Sequence, residues 1–240
     1  MLPGSLAVIG TPLDLAALVV FVLAAGGYGM LARMPTFERR SITGAVQEQR
    51  VRWLLNMARR ENRMLDAVVL GSLGQGNAFF ASTSAIVVGG LAAVMGSGDK
   101  VQGMMERLPY AARSSPVLWE FKLILILGIF VFAFFKFAWA FRLSHYASIM
   151  MGATPIIEPT NAIECTRHAK RTARLIGIAA EHANGGLRAY YYAIAAMGWF
   201  YHPVAFIAAT VYVIAILVRR DFFSRSRRLL LGRELASDGA

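Results

Sequence analysis

Four histidines, one cysteine and a scatter of acids are all that this 240-residue chain offers for holding a metal or moving a proton. Glu164, Cys165 and His168 stand together in the run ECTRH. On a helix Glu164 and His168 fall one turn apart, and Cys165 faces the same way as His168. A zinc site needs a third and a fourth ligand. Neither a Cys-x-x-Cys nor a His-Glu-x-x-His spacing supplies them, so no metal is expected. Haem needs axial residues facing each other inside a bundle, whereas His145, His182 and His202 sit towards the ends of apolar runs. A Gly-x-Ser-x-Gly elbow, a Walker loop and a dinucleotide loop are all missing. No catalytic residue and no cofactor is assigned, and the expectation is that the chain is not an enzyme. The lone Cys165 has no partner for a disulfide within the chain.

Charge inside apolar sequence is the next signal. Lys136 lies within FAFFKFAWAF, and an ionisable residue in a membrane span is a functional candidate. Arg142 follows six residues later, about 9 Å along a helix, so the lysine is also within reach of the headgroups by snorkelling. Ser82, Thr83 and Ser84 form a hydroxyl cluster in another apolar run. With Lys136 they are the candidates for a solute or ion path, although such hydroxyls commonly bond the carbonyl one turn back. Glu120 and Lys122 read as a pair of interfacial anchors. Arg142, Arg174 and Arg188, the last beside Tyr190, Tyr191 and Tyr192, are the candidates for an anionic headgroup or ligand. Ala81, Ala85, Gly89 and Ala93 lie four apart and make a helix-packing ridge, because small residues let helix backbones approach closely in lipid.

The elements that carry these residues are membrane helices. The chain is 57% hydrophobic and 16% charged, against about 45–50% and about 25% in soluble domains. The apolar residues cluster in long runs, which predicts one all-α, polytopic membrane domain over 1–240. Spans are expected at 13–31, 70–95 and 119–141. Asp14 is placed to cap the first, which reads as an uncleaved span because no basic segment precedes it. Amphipathic helices are expected at 43–66 and 161–184, with arginines on one side and apolar residues on the other. Asn184, Gly185 and Gly186 can end the second of these.

The last apolar stretch, Gly186 to Arg220, raises the question of one crossing or two. As a single helix it would run about 52 Å, against a hydrocarbon core of about 30 Å. His202–Pro203 is a place to turn, because the residue before proline disfavours helix and proline suits a helix start. Charge agrees. Arginines crowd Arg33 to Arg63, Arg142 to Arg188 and Arg219 to Arg233, whereas Gly96 to Pro116 holds only Lys100, Arg107 and Arg113. Basic residues mark cytoplasmic flanks. That places the N-terminus outside and, with spans at 187–201 and 203–218, the tail and both amphipathic helices on the cytoplasmic side. A single helix kinked at Pro203 is the alternative, so four to five spans are expected.

The blocks RWLLNMARRENRMLD, FFASTSAIVVGGL, FAFFKFAWAFR, NGGLRAYYYAIAAMGWFYHP and ATVYVIAILVRRDFFS together resemble the family called domain of unknown function 599. Its members are integral membrane proteins of bacteria and plants. The resemblance covers Leu13 to Arg228. It implies a membrane architecture and carries no activity, cofactor or catalytic residue.

The net charge of +11 comes mostly from arginines that flank apolar runs, so nucleic acid is not an expected partner. Membrane lipids and their anionic headgroups are. The function expected from these features is a non-catalytic module of the cell membrane that assembles with itself or with other membrane proteins. The alternatives are a small-solute or ion transporter or channel, and a membrane enzyme working at headgroup level.

Overall fold

The computed structural model describes residues 10–32, 34–97, 103 and 115–231, with the side chains of Glu38 and Arg39 outside that set. Lys100, Arg107 and Arg113 of the second connection, with Arg33 and Arg233, fall outside it as well. Most of the described residues are helical, and no strand occurs among them. In order the helices are α1 (Pro12–Leu31), α2 (Pro35–Arg40), α3 (Ile42–Met57), α4 (Met64–Gly96), α5 (Pro116–Gly152), α6 (Ala162–Tyr201), α7 (Pro203–Phe222) and α8 (Arg225–Leu230). Four stretches are long and apolar enough to cross a membrane: α1, α4, α5 and the stretch from Pro203. They suggest a membrane protein.

Helix ends follow local chemistry. α1 starts with a capping box in which Asp14 takes part as expected: the Thr11 side chain accepts from the Asp14 amide and the Asp14 carboxylate accepts from the Thr11 amide, with Pro12 at the first helical position. The amphipathic helix expected to reach Asp66 stops at Met57. The chain has to turn there because Trp53 and Arg60 both bond the Asp66 carboxylate, at 2.6 and 2.9 Å, and Asp66 is 1% exposed. Asn62 then accepts from the Met64 amide at 3.0 Å and starts α4 six residues earlier than its apolar run.

α5 outlasts its expected span and runs on from Phe141 to Gly152. Its extension repeats buried residues at every fourth position, Leu143, Ala147 and Met151, so tertiary packing carries the helix onward. α6 is also longer than expected. Asn184, Gly185 and Gly186 lie inside it, and neither glycine has a positive φ. The expected helix end there is absent.

The turn comes at His202. A Cβ built on Gly198 would lie 3.2 Å from the Ala205 carbonyl oxygen, and the Trp199 and Phe206 rings stack at 5.1 Å. Residues seven apart on a straight helix are separated by about 10 Å. The chain therefore folds back, and α6 and α7 form a helical hairpin. His202 helps to start the second arm, since its Nδ1 accepts from the Val204 amide at 3.1 Å.

The chain divides into two compact units. The first comprises Met1–Ala32, Ser82–Phe134 and Gly186–Leu217. Its core gathers Ala17 and Phe21 of α1, Leu118 and Ile126 of α5, Ala196 and Trp199 of α6 and Phe206 of α7. The second comprises Arg33–Ala81, Phe135–Gly185 and Val218–Ala240. Its core joins Leu54 and Met57 of α3 to Leu70, Ala147, Met151, Ala169, Ala173 and Ile176.

Candidate functional site

α4 is the least covered of the apolar helices. Only 11% of its most apolar stretch is buried, against 22% in α1 and 28% in α5. Its small-residue ridge lies on the uncovered side. Ala81 is half-buried, while Ala85, Gly89 and Ala93 are exposed. A Cβ on Gly89 or Gly90 would meet nothing within 4 Å. Ile86, beside the ridge, is 75% exposed. The ridge is thus an outward face among the described residues. Among the described residues no helix packs against Ala85, Gly89 or Ala93.

The neighbouring hydroxyls diverge. Ser82 is exposed, Thr83 is half-buried and Ser84 is buried. Ser84 is bonded to the Tyr190 hydroxyl at 3.0 Å, which ties α4 to α6 within the first unit. Lys136 belongs to the second unit. Its Cδ and Cε lie 3.6 Å from where a Cβ on Gly185 would be, so its stem runs against α6 where that helix has no side chain.

The three candidate arginines belong to two different units. Arg142 and Arg174 are exposed and belong to the second unit. Arg142 bonds the Tyr146 hydroxyl at 2.8 Å, one turn on along its own helix. Arg188 belongs to the first unit, where its guanidinium lies 5.9 Å over the Tyr28 ring.

The sequence reading missed a buried polar cluster in the first unit. Lys122, expected as an interfacial anchor, is 1% exposed. Its Nζ lies 5.5 Å over the Trp199 ring. Trp199 Nε1 donates to Asp14 Oδ1 at 2.8 Å, and Thr11 bonds Asp14 Oδ2 through its amide and its hydroxyl at 2.9 and 2.7 Å. Lys122 and Asp14 attract one another electrostatically. The available signal was helical spacing, because Lys122 falls on the same four-residue stripe as Leu118 and Ile126, both core residues. The cluster closes one end of the α1, α5 and α6 packing. Every group in it is engaged, which makes it a clasp rather than a ligand site.

Among the described residues no group of three or more His, Cys, Asp and Glu side chains stands together as a metal site. His168 gives Nε2 to the Met150 carbonyl at 2.8 Å, and Cys165 is buried against the Pro155 carbonyl at 3.5 Å.

The chain matches the family model described as "Protein of unknown function, DUF599" over residues 16–226. It belongs to this family. Membership agrees with the resemblance carried by its helical blocks, and the family description assigns no role. No curated protein and no solved structure matches this DUF599 chain.

Proposed function

We propose that the chain is a non-catalytic membrane module that associates with a second copy of itself through the outward face of α4. The observation that carries this reading is the exposure of Ala85, Gly89 and Ala93 on the least covered apolar helix. In lipid no hydrophobic drive brings helices together. Association comes from close packing, for which small residues are the means. A ridge of this kind facing acyl chains forfeits that packing, whereas a second copy restores it. Ser84, the one buried hydroxyl of the cluster, is bonded to Tyr190, which ranks this reading ahead of a conducting path.

The reading includes a topology. The N-terminus is outside the cell membrane, α1, α4 and α5 cross it, and the α6–α7 hairpin re-enters from the cytoplasmic face, so that the basic tail ends inside. Charge placement supports it, since Arg219, Arg220, Arg225, Arg227 and Arg228 then share a side with Arg167 to Arg174.

Gly89→Leu tests the association. A Cβ at this position meets nothing within 4 Å, so the fold is expected to survive. Light scattering on detergent-purified protein should give at least twice the chain mass for the wild type and a single chain mass for Gly89→Leu. A wild type of single chain mass in mild detergent and in nanodiscs would remove the reading.

A further inference from the structure

The second unit holds a cavity of about 590 Å³ between the α5–α6 connection and the first turns of α6. Among its lining residues are Pro155, Thr160, Glu164, Arg167, His168 and Arg171. Its volume is that of a small-molecule site.

The wall is fixed from behind. Arg63 donates Nη1 to the Thr154 carbonyl and Nη2 to the Pro155 carbonyl, the latter at 3.1 Å. The Ile157 amide bonds the Ala58 carbonyl at 3.1 Å. Asn161 spends both ends of its amide on the connection, accepting from Glu158 at 2.8 Å and donating to Ile156 at 3.0 Å. The connection is thereby held against the α3–α4 turn.

The charged side chains that line the cavity, all of them exposed, are out of balance. Arg167 and Arg171 lie one turn apart on the same face of α6, and like charges at that spacing repel. Neither makes an ion pair among the described residues. Glu164 lines the same cavity at a spacing that would allow it to pair with Arg167, yet the two do not pair. His168 stands between the arginines in sequence and donates from Nε2 to the Met150 carbonyl at 2.8 Å. Two guanidinium forks against one carboxylate describe a site that lacks an anion. A phosphate group suits it best, because planar forks grip phosphate oxygens in pairs.

We infer that this cavity binds a phosphate group, carried by a free phosphorylated molecule or by a phospholipid headgroup, with Arg167 and Arg171 as its principal ligands. Arg142, Arg174 and Arg188 do not line this cavity, and the inference does not depend on self-association.

The test uses the full chain purified in a neutral detergent. Inorganic phosphate is titrated by calorimetry, with sulfate-free chloride buffer as the reference, and phosphatidylglycerol is titrated separately in mixed micelles with phosphatidylcholine as its control. The variants are Arg167→Gln/Arg171→Gln, Arg167→Lys/Arg171→Lys and Lys170→Gln. Lys170 is an exposed neighbour that does not line the cavity. The expected result is saturable binding that falls at least tenfold in the double glutamine variant, falls less in the double lysine variant and changes less than threefold in Lys170→Gln. Binding of inorganic phosphate identifies a free phosphorylated ligand. Binding of phosphatidylglycerol alone identifies a headgroup. Circular dichroism confirms that each variant is folded, and Lys170→Gln separates site binding from general surface charge. Equal losses in Lys170→Gln and the double glutamine variant, or no binding of either probe by the wild type, would overturn the inference.

Discussion

Trp199 holds Asp14 through a hydrogen bond that phenylalanine cannot make, and offers Lys122 a ring face that phenylalanine can. The two contributions are therefore separable. Trp199→Phe should lower stability by about 1.5–3 kcal/mol, the usual cost of losing a hydrogen bond to a charged group. Trp199→Leu should cost more, because the cation–π contact and the Phe206 stacking go as well. Thermal unfolding in detergent reads both, and an unchanged Trp199→Phe would mean that Thr11 alone holds Asp14. The same pattern recurs in the second unit, where the buried Asp66 accepts from Trp53 and Arg60. Neither clasp was legible in the sequence. A tryptophan and a carboxylate 185 residues apart share no local pattern. Lys122 was misread because a charge three residues from a tryptophan near the start of a span looks interfacial. Its four-residue stripe with Leu118 and Ile126 pointed the other way.

At the scale of elements, glycines decide where helices bend and where they do not. The run Asn184–Gly185–Gly186 has the composition of a helix end, yet the helix passes through it. Glycine there provides room for the Lys136 stem, and no left-handed backbone is needed. Gly198 is the glycine that matters for the hairpin, because its missing Cβ lets the Ala205 backbone approach. Gly198→Ala should destabilise the protein by about 1–3 kcal/mol, the range for overpacking against atoms that cannot move aside. Gly185→Ala should be neutral or stabilising by about 0.5–1 kcal/mol, since alanine favours a helix and the atoms it meets belong to a flexible side chain. Equal losses in the two variants would show that Gly185 has a tighter role than its surroundings imply. The sequence was more readable for type than for extent. Helical periodicity identified α3 and the start of α6, and hydropathy identified α1, α4 and α5. The ends of α4 and α5 escaped because packing in the second unit prolongs them beyond their apolar runs.

At the scale of the molecule, the basic segments and the hairpin act together. With the chain folded back at His202, the described residues after Leu217 belong to the same unit as the first half of α6, and the proposed topology puts the tail in the cytoplasm. A reporter active only outside the cytoplasm, fused after Ala240, should be silent, and a cytoplasm-active reporter at the same place should be active. The reverse result would require the stretch from Gly186 to Arg220 to cross once. The open face of α4 would then have to be reconsidered together with the positions of its neighbours.

Self-association through that face is tested most directly by disulfide trapping in native membranes. Gly89→Cys is placed in a Cys165→Ala background, with Ile124→Cys on α5 as the control, since Ile124 is 49% exposed and lies in the same unit. Mild oxidation should give rapid, concentration-independent dimers of Gly89→Cys and few of Ile124→Cys. Equal trapping of the two, or none at Gly89→Cys, would contradict an α4-mediated assembly.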